Sequence, residues 1–148
     1  MKSLSKGQLR HFIDPVYKYF NLEWYVQDNG LNIQPVDSSE KKGLYKVTFI
    51  VKNTGKVSGA EVAEIYVGED SPKLPRPEKE LKGFSKVVLR PGESKTVSVL
   101  LDSRAFAYYD TPAQKWTINP GTFHIMVGHS SQEIDLRGTL KLNSSTVY

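Results

Sequence analysis

The sequence predicts an all-β chain, on three observations. Apolar residues alternate with polar ones at period two from about Leu44 onward. Clusters of Gly, Pro, Asp and Ser interrupt these runs at short intervals, and nothing between Leu44 and Leu142 keeps a helical period. Short alternating strands separated by such turn signals build a sandwich or a barrel.

Taken in chain order, "SKGQLRHFIDPVYKYF" fits either a short helix or an extended arm before Pro15. In "YFNLEWYVQ", Phe20, Leu22, Trp24 and Val26 share one side, which reads as a first strand ending at the turn "DNG", Asp28 to Gly30. "LNIQPV" is a further short strand ending near Pro35, and "DSSEKKG" a hairpin loop into the strand at Leu44. Tyr45, Val47, Phe49 and Val51 then face the core, with Lys46, Thr48 and Lys52 on the other side, until "NTG" breaks the run. Ala63, Ile65 and Val67 alternate with Val62, Glu64 and Tyr66, the last expected on an outer face. Val97, Val99 and Leu101 point inward. Phe123, Ile125 and Val127 alternate with Thr122, His124 and Met126. Ile134, Leu136, Leu140 and Leu142 complete the set, with Gly138 marking a bulge or a close approach.

The stretch from Arg76 to Val97 needs separate treatment. Pro75 and Pro77 remove two backbone donors, so "LPRPEKE" belongs at a sheet edge or in a crossover between sheets. Leu81 and Phe84 then turn into the core or onto a neighbouring domain, with Gly83 permitting the bend between them. Arg90-Pro91-Gly92-Glu93 reads as a hairpin turn, Pro setting φ and Gly accepting a positive φ.

Bulk properties exclude several functions. The 148 residues suit one domain, and 39% hydrophobic with 24% charged residues is an ordinary globular balance. A net charge of +4 is spread along the chain rather than gathered in a run, which argues against nucleic acid as a partner. Cysteine is absent, so disulfides and thiolate chemistry are out. No segment approaches the roughly 20 apolar residues a membrane helix needs. The N-terminus has no apolar core of a signal peptide, so the chain is read as soluble, either cytoplasmic or already trimmed of its address.

Candidate chemistry is sparse. Glu61 and Glu64 are three apart in a strand and point to opposite faces, so they cannot converge on a sugar. Glu78 and Glu80 share a face but sit on a solvated, charged edge. "GHSSQ" begins like a nucleophile elbow, lacks the last glycine and lies between two strands, so it is a β-turn. His11, His124 and His129 are scattered without metal-ligand spacing, and His124 is expected to face outward. The aromatic group Tyr108, Tyr109 and Trp116 brackets the loop "YYDTPAQKW". Two roles are open for it: anchoring the core, the commoner one, or stacking on the apolar face of a sugar ring. Asn143-Ser144-Ser145 matches a glycosylation sequon but lies near the C-terminus.

The ordered series "VKNTGKVSGAEVAEIYV", "RPEKELKGFSKVVLRPGESKTVSVLL", "AFAYYD" and "KWTINPGTFHIMVGHSSQEIDLRG" resembles one family's domain. It is similar to the C-terminal fibronectin type III-like domain of glycoside hydrolase family 3, the β-glucosidase and β-xylosidase group. The likeness spans about Asn32 to Leu142. It implies an immunoglobulin-like or fibronectin type III-like β-sandwich of about seven strands over residues 31–143. Residues 1–30 would be an N-terminal extension, an arm or extra strand, and 144–148 a tail. In the family, the nucleophilic aspartate and the acid/base carboxylate belong to upstream segments with no counterpart in these residues. The implied role is therefore an accessory domain with no catalytic residue, metal or cofactor. Its partners would be the catalytic domains of a parent glycoside hydrolase, with Leu81 and Phe84 as packing residues. An oligosaccharide touching Tyr108, Tyr109 and Trp116 is the further partner these aromatic rings admit, and neither nucleic acid nor membrane is expected. The parent's place leans outside the cytoplasm. A carbohydrate-binding module and a free-standing protein-interaction sandwich remain as alternatives.

Overall fold

The computed structural model describes residues 22–25, 31–38, 41–143 and 146–147. Among these residues, eleven strands run in the order β1 (Leu22–Tyr25), β2 (Asn32–Ser38), β3 (Lys41–Asn53), β4 (Gly59–Glu69), β5 (Glu80–Leu89), β6 (Ser94–Leu101), β7 (Tyr108–Asp110), β8 (Lys115–Ile118), β9 (Gly121–Ser130), β10 (Glu133–Leu142) and β11 (Thr146–Val147). A 3₁₀ turn at Ser103–Ala105 follows β6. No helix among the described residues is long and apolar enough to cross a membrane.

Two antiparallel four-stranded sheets face each other. In the first, β6 lies along one side of β3, while β1 and β2 follow one another along the other side. The second has the order β10-β9-β4-β5. A small sheet, β11-β8-β7, adjoins them. The core between the large sheets is the one the alternation predicts: Val47, Phe49, Val51, Val97, Val99 and Leu101 against Ala63, Ile65, Val67, Phe123, Ile125 and Val127. Phe106, which the sequence pattern did not single out, closes one end. Its ring meets Tyr45 at 5.4 Å and Phe123 at 5.3 Å, both edge to face, the arrangement aromatic quadrupoles prefer.

Local chemistry explains where the expected boundaries move. β2 runs past Pro35 to Ser38, because Pro35 pairs with Tyr45 in a strand at the side of its sheet, where a missing donor is tolerated. The connection to β3 is correspondingly shorter than "DSSEKKG" suggests, and Phe20 and Val26 lie outside the described residues. Gly138 is a close approach and not a bulge: a Cβ there would sit 2.9 Å from Leu31 Cβ. The bulges of β10 fall between Glu133 and Leu136 instead.

The proline-rich segment departs most from expectation. β4 and β5 are antiparallel neighbours in one sheet, so residues 70–79 form a long connection within that sheet and not a crossover. The chain changes sheets one connection later, at Arg90 to Glu93, between β5 in the second sheet and β6 in the first. Gly92 there has the anticipated positive φ, 75°. β5 and β6 pack closely at this seam: a Cβ on Gly83 would lie 2.8 Å from Val99 Cγ1. Gly83 is needed for that contact and not for a bend.

The 70–79 connection folds back over β4, where a Cβ on Gly68 would run into the Glu78 carbonyl oxygen. Arg76 fastens it. Its guanidinium reaches Glu69 at 3.1 Å and Glu80 at 2.8 Å, and donates to the carbonyls of Phe106 at 3.3 Å and Ala107 at 3.4 Å. Lys82 Nζ adds a second contact to Glu80 at 2.8 Å. Burial raises the Glu80 carboxyl, but the hydrogen bonds and charges of Lys82 and Arg76 outweigh it and hold the group below its ordinary value.

At the opposite end, Asn53 does more than mark a turn. Its buried Nδ2 donates to Val57 O at 2.8 Å and Leu89 O at 3.2 Å, while Oδ1 accepts from Gly55 N–H at 2.9 Å. Its backbone N–H donates to Glu93 O at 2.9 Å, and its carbonyl accepts from Gly92 N–H at 2.8 Å. One side chain therefore joins β3, the loop into β4 and the seam between the sheets.

Two stability measurements check these contacts. Asn53→Ala leaves the Leu89 carbonyl without its donor and is expected to cost about 1–3 kcal/mol in urea unfolding; an unchanged midpoint contradicts the bracing role. Glu80 has a depressed folded pKa, so its contribution is full above its ordinary value of 4.5 and is lost as pH falls through the folded value. Glu80→Gln should therefore be less stable than the parent at neutral pH, with the gap closing in acid. A gap independent of pH contradicts the ion-pair account.

Candidate functional site

Among the described residues, the outer side of the second sheet is built unlike a solvated surface. Register places Tyr66 opposite Leu81, Glu64 opposite Phe84, Val62 opposite Lys86 and Ala60 opposite Val88. These side chains point away from the core residues Ala63, Ile65, Val87 and Leu89, with which they alternate. Leu81 and Phe84 are three apart and would ordinarily face opposite ways. A register shift between Ile65 and Tyr66 makes Lys82 an extra residue in β5, and this puts both on the same outer face. The sequence offers Gly83 as a hint of irregularity but does not reveal the register.

The 70–79 connection divides this face. Above, its Glu78 carbonyl lies against Gly68, and Tyr66, 7% exposed, and Met126 are buried. Tyr66 is thus an outer-face residue, as read, but not an open one. Its phenol is pushed up to about 12 by burial and by donation to the Glu64 carboxylate, with a Ser131 contact working the other way. Below, Leu81 is 51% exposed, Phe84 69% and Val88 56%. The core alternative for Leu81 and Phe84 is excluded by this exposure. A large apolar side chain left in water forgoes roughly 1.5–3 kcal/mol of burial, and three of them stand in one exposed row here.

The aromatic group is arranged differently from a flat platform. Tyr108 to Trp116 is a hairpin rather than a loop, β7 turning into β8 through Thr111 to Gln114, with Gln114 at φ 52°. Tyr108 and Tyr109, being adjacent in a strand, point to opposite sides. Trp116 packs against the core, and the Arg104 guanidinium lies 3.9 Å from its ring centroid, a cation–π contact that covers one face. Tyr109 meets Trp116 edge-on at 5.6 Å and is the exposed member.

The carboxylates fall where alternation sends them. Glu64 is held by Tyr66 on the outer side, and Glu80 by Arg76 and Lys82. Glu61 is half-buried and not merely solvated: its Oε2 lies 3.2 Å from His129 Nδ1, while Asp135 Oδ2 lies 3.5 Å from Nε2. The scatter of histidines in the sequence concealed this arrangement, which joins β4, β9 and β10. Two carboxylates bracket the imidazole, but the ring fills the gap that a sugar and a water would need. His124 faces outward as expected, 3.3 Å from Asp70. Among the described residues no group of three His, Cys, Asp or Glu is placed to hold a metal ion. His11 lies outside the described residues.

Known proteins share this architecture. A model of the fibronectin type III-like domain matches residues 61–131. Thermostable β-glucosidase B of Acetivibrio thermocellus is 44% identical over 135 residues, which is 90% of this chain and 18% of that protein. Probable β-glucosidase K of Emericella nidulans is 44% identical over 103 residues, 68% of this chain and 12% of that one. Among solved structures, the β-glucosidase of Kluyveromyces marxianus in complex with glucose superposes with a TM-score of 0.77 at 32% identity, over 88% of this chain and 15% of that one. A glycoside hydrolase family 3 β-glucosidase of Bifidobacterium adolescentis gives 0.74 at 33% identity, over 84% of this chain and 17% of that one. The chain thus spans less than a fifth of the length of these relatives. It is a fibronectin type III-like domain of the kind found in glycoside hydrolase family 3 β-glucosidases.

Proposed function

We propose that the chain acts as a non-catalytic accessory domain of a family 3 β-glucosidase, packing on the catalytic part of the enzyme and keeping it oriented. The observation that carries this is the uncovered apolar row Leu81, Phe84 and Val88 on the outer face of β4 and β5. In relatives where this segment is 12–18% of the length, most of the polypeptide lies elsewhere and can supply the covering surface. Supporting it, Glu61, Glu64 and Glu80 are engaged by His129, by Tyr66, and by Arg76 with Lys82, while Glu78 lies exposed on the 70–79 connection. A glycosidase needs two carboxyl groups free to flank the scissile bond.

Sugar contact at the β7–β8 hairpin has weaker support. Trp116 is covered by Arg104 and the core, which leaves Tyr109 as the exposed ring. A single tyrosine presented edge-on to its neighbour offers little stacking area.

The test is a graft. This chain replaces the matching segment of the Acetivibrio thermocellus β-glucosidase, and hydrolysis of an aryl β-glucoside is followed beside the isolated chain. The graft is expected to hydrolyse the glucoside and the isolated chain not to. Turnover by the isolated chain contradicts the accessory reading. So does full thermal stability in a truncated relative that lacks the segment altogether.

A further inference from the structure

We infer that the surface docked on this face is an apolar socket carrying a carboxylate opposite Lys86, supplied by the parent enzyme's own catalytic part. This rests on the packing reading above and adds the chemistry of the partner.

Phe84, Lys86 and Val88 alternate along β5 and share its outer side, all three exposed. A surface that covers the two apolar residues must also cover the lysine between them. No described acidic residue lies within ion-pair distance of Lys86, and the carboxylate nearest in register on this face, Glu64, is taken by the Tyr66 hydroxyl. Removing an ammonium from water without a counter-charge costs several kcal/mol, so a stable contact requires an anion from the partner. Phe84 supplies the apolar anchor and Lys86 the orientation, since a misplaced partner leaves the charge buried and alone.

Two other modes of association fit the residues less well. Strand addition along the β5 edge is hindered by Lys95, whose Nζ donates to the Val88 carbonyl at 2.7 Å. A lysine at a strand edge is an established guard against such pairing. A second copy docked about a twofold axis through the row would bring Lys86 against its own counterpart, a like-charge contact.

The graft described above tests this when a protease site is placed at the junction and a tag on the upstream part. After cutting, retention of this domain by the tagged part measures the contact in trans. Phe84→Ala and Lys86→Glu are each expected to weaken retention by about tenfold or more, roughly 1.4 kcal/mol, while Lys86→Arg stays near the parent. Sodium chloride at about 1 M should narrow the gap between parent and Lys86→Glu. Both side chains are exposed, so circular dichroism of the isolated variants should be unchanged and separates docking from folding. Loss with Phe84→Ala but parent-like retention of Lys86→Glu overturns the carboxylate and leaves the packing reading standing. Retention unaffected by either substitution overturns both. An isolated chain that sediments as a dimer, broken by Phe84→Ala, makes a second copy the occupant and also overturns the proposal.

Discussion

Arg76 is the contact on which the proposed docking face of this domain depends. Its guanidinium holds the proline-containing connection of residues 70–79 against Glu69, Glu80 and two carbonyls beyond β6. Held there, the connection passes over Gly68, while Leu81, Phe84 and Val88 on the lower outer face stay bare. Without the tether, ten residues with no ladder of their own would have little reason to stay on the sheet. Its prolines reduce the freedom lost in staying there. The bare face is then the remainder of an outer surface whose other half the protein covers itself.

The inside of the sandwich and its outside obey different constraints, and β5 shows both. Its inward residues meet β6 at the seam where the sheets change over, so closely that Gly83 has no room for a side chain. Its outward residues form a row with no cover among the described residues. The extra residue at Lys82 reconciles these demands: it keeps Gly83, Val87 and Leu89 inside while turning Leu81 out beside Phe84. Bulges of this kind commonly re-aim side chains where a sheet meets something else.

The fold was largely legible because burial on one face writes a period-two pattern, and Val47, Phe49, Ile65, Phe123 and Ile125 follow it without exception. What the pattern could not supply was pairing. β4 and β5 are neighbours in one sheet, yet prolines at 75 and 77 suggest a crossover, because sequence alone does not show that the connection is roofing its own sheet. The same gap hid the Glu61, His129 and Asp135 arrangement, in which Glu61 lies far in the chain from the other two and meets them only through the β4–β9–β10 register. Phe106 and Asn53 were missed for a simpler reason: each acts from outside a regular strand interior, where periodicity carries no signal.

The central claim is that the row of Leu81, Phe84 and Val88 is covered in the assembled enzyme. Hydroxyl-radical footprinting of Phe84 measures this directly, comparing the isolated chain with the same chain inside an intact β-glucosidase polypeptide. The account predicts ready oxidation of Phe84 in the isolated chain and strong protection in the intact enzyme, with Tyr109 labelled alike in both. Equal oxidation of Phe84 in the two forms would contradict it.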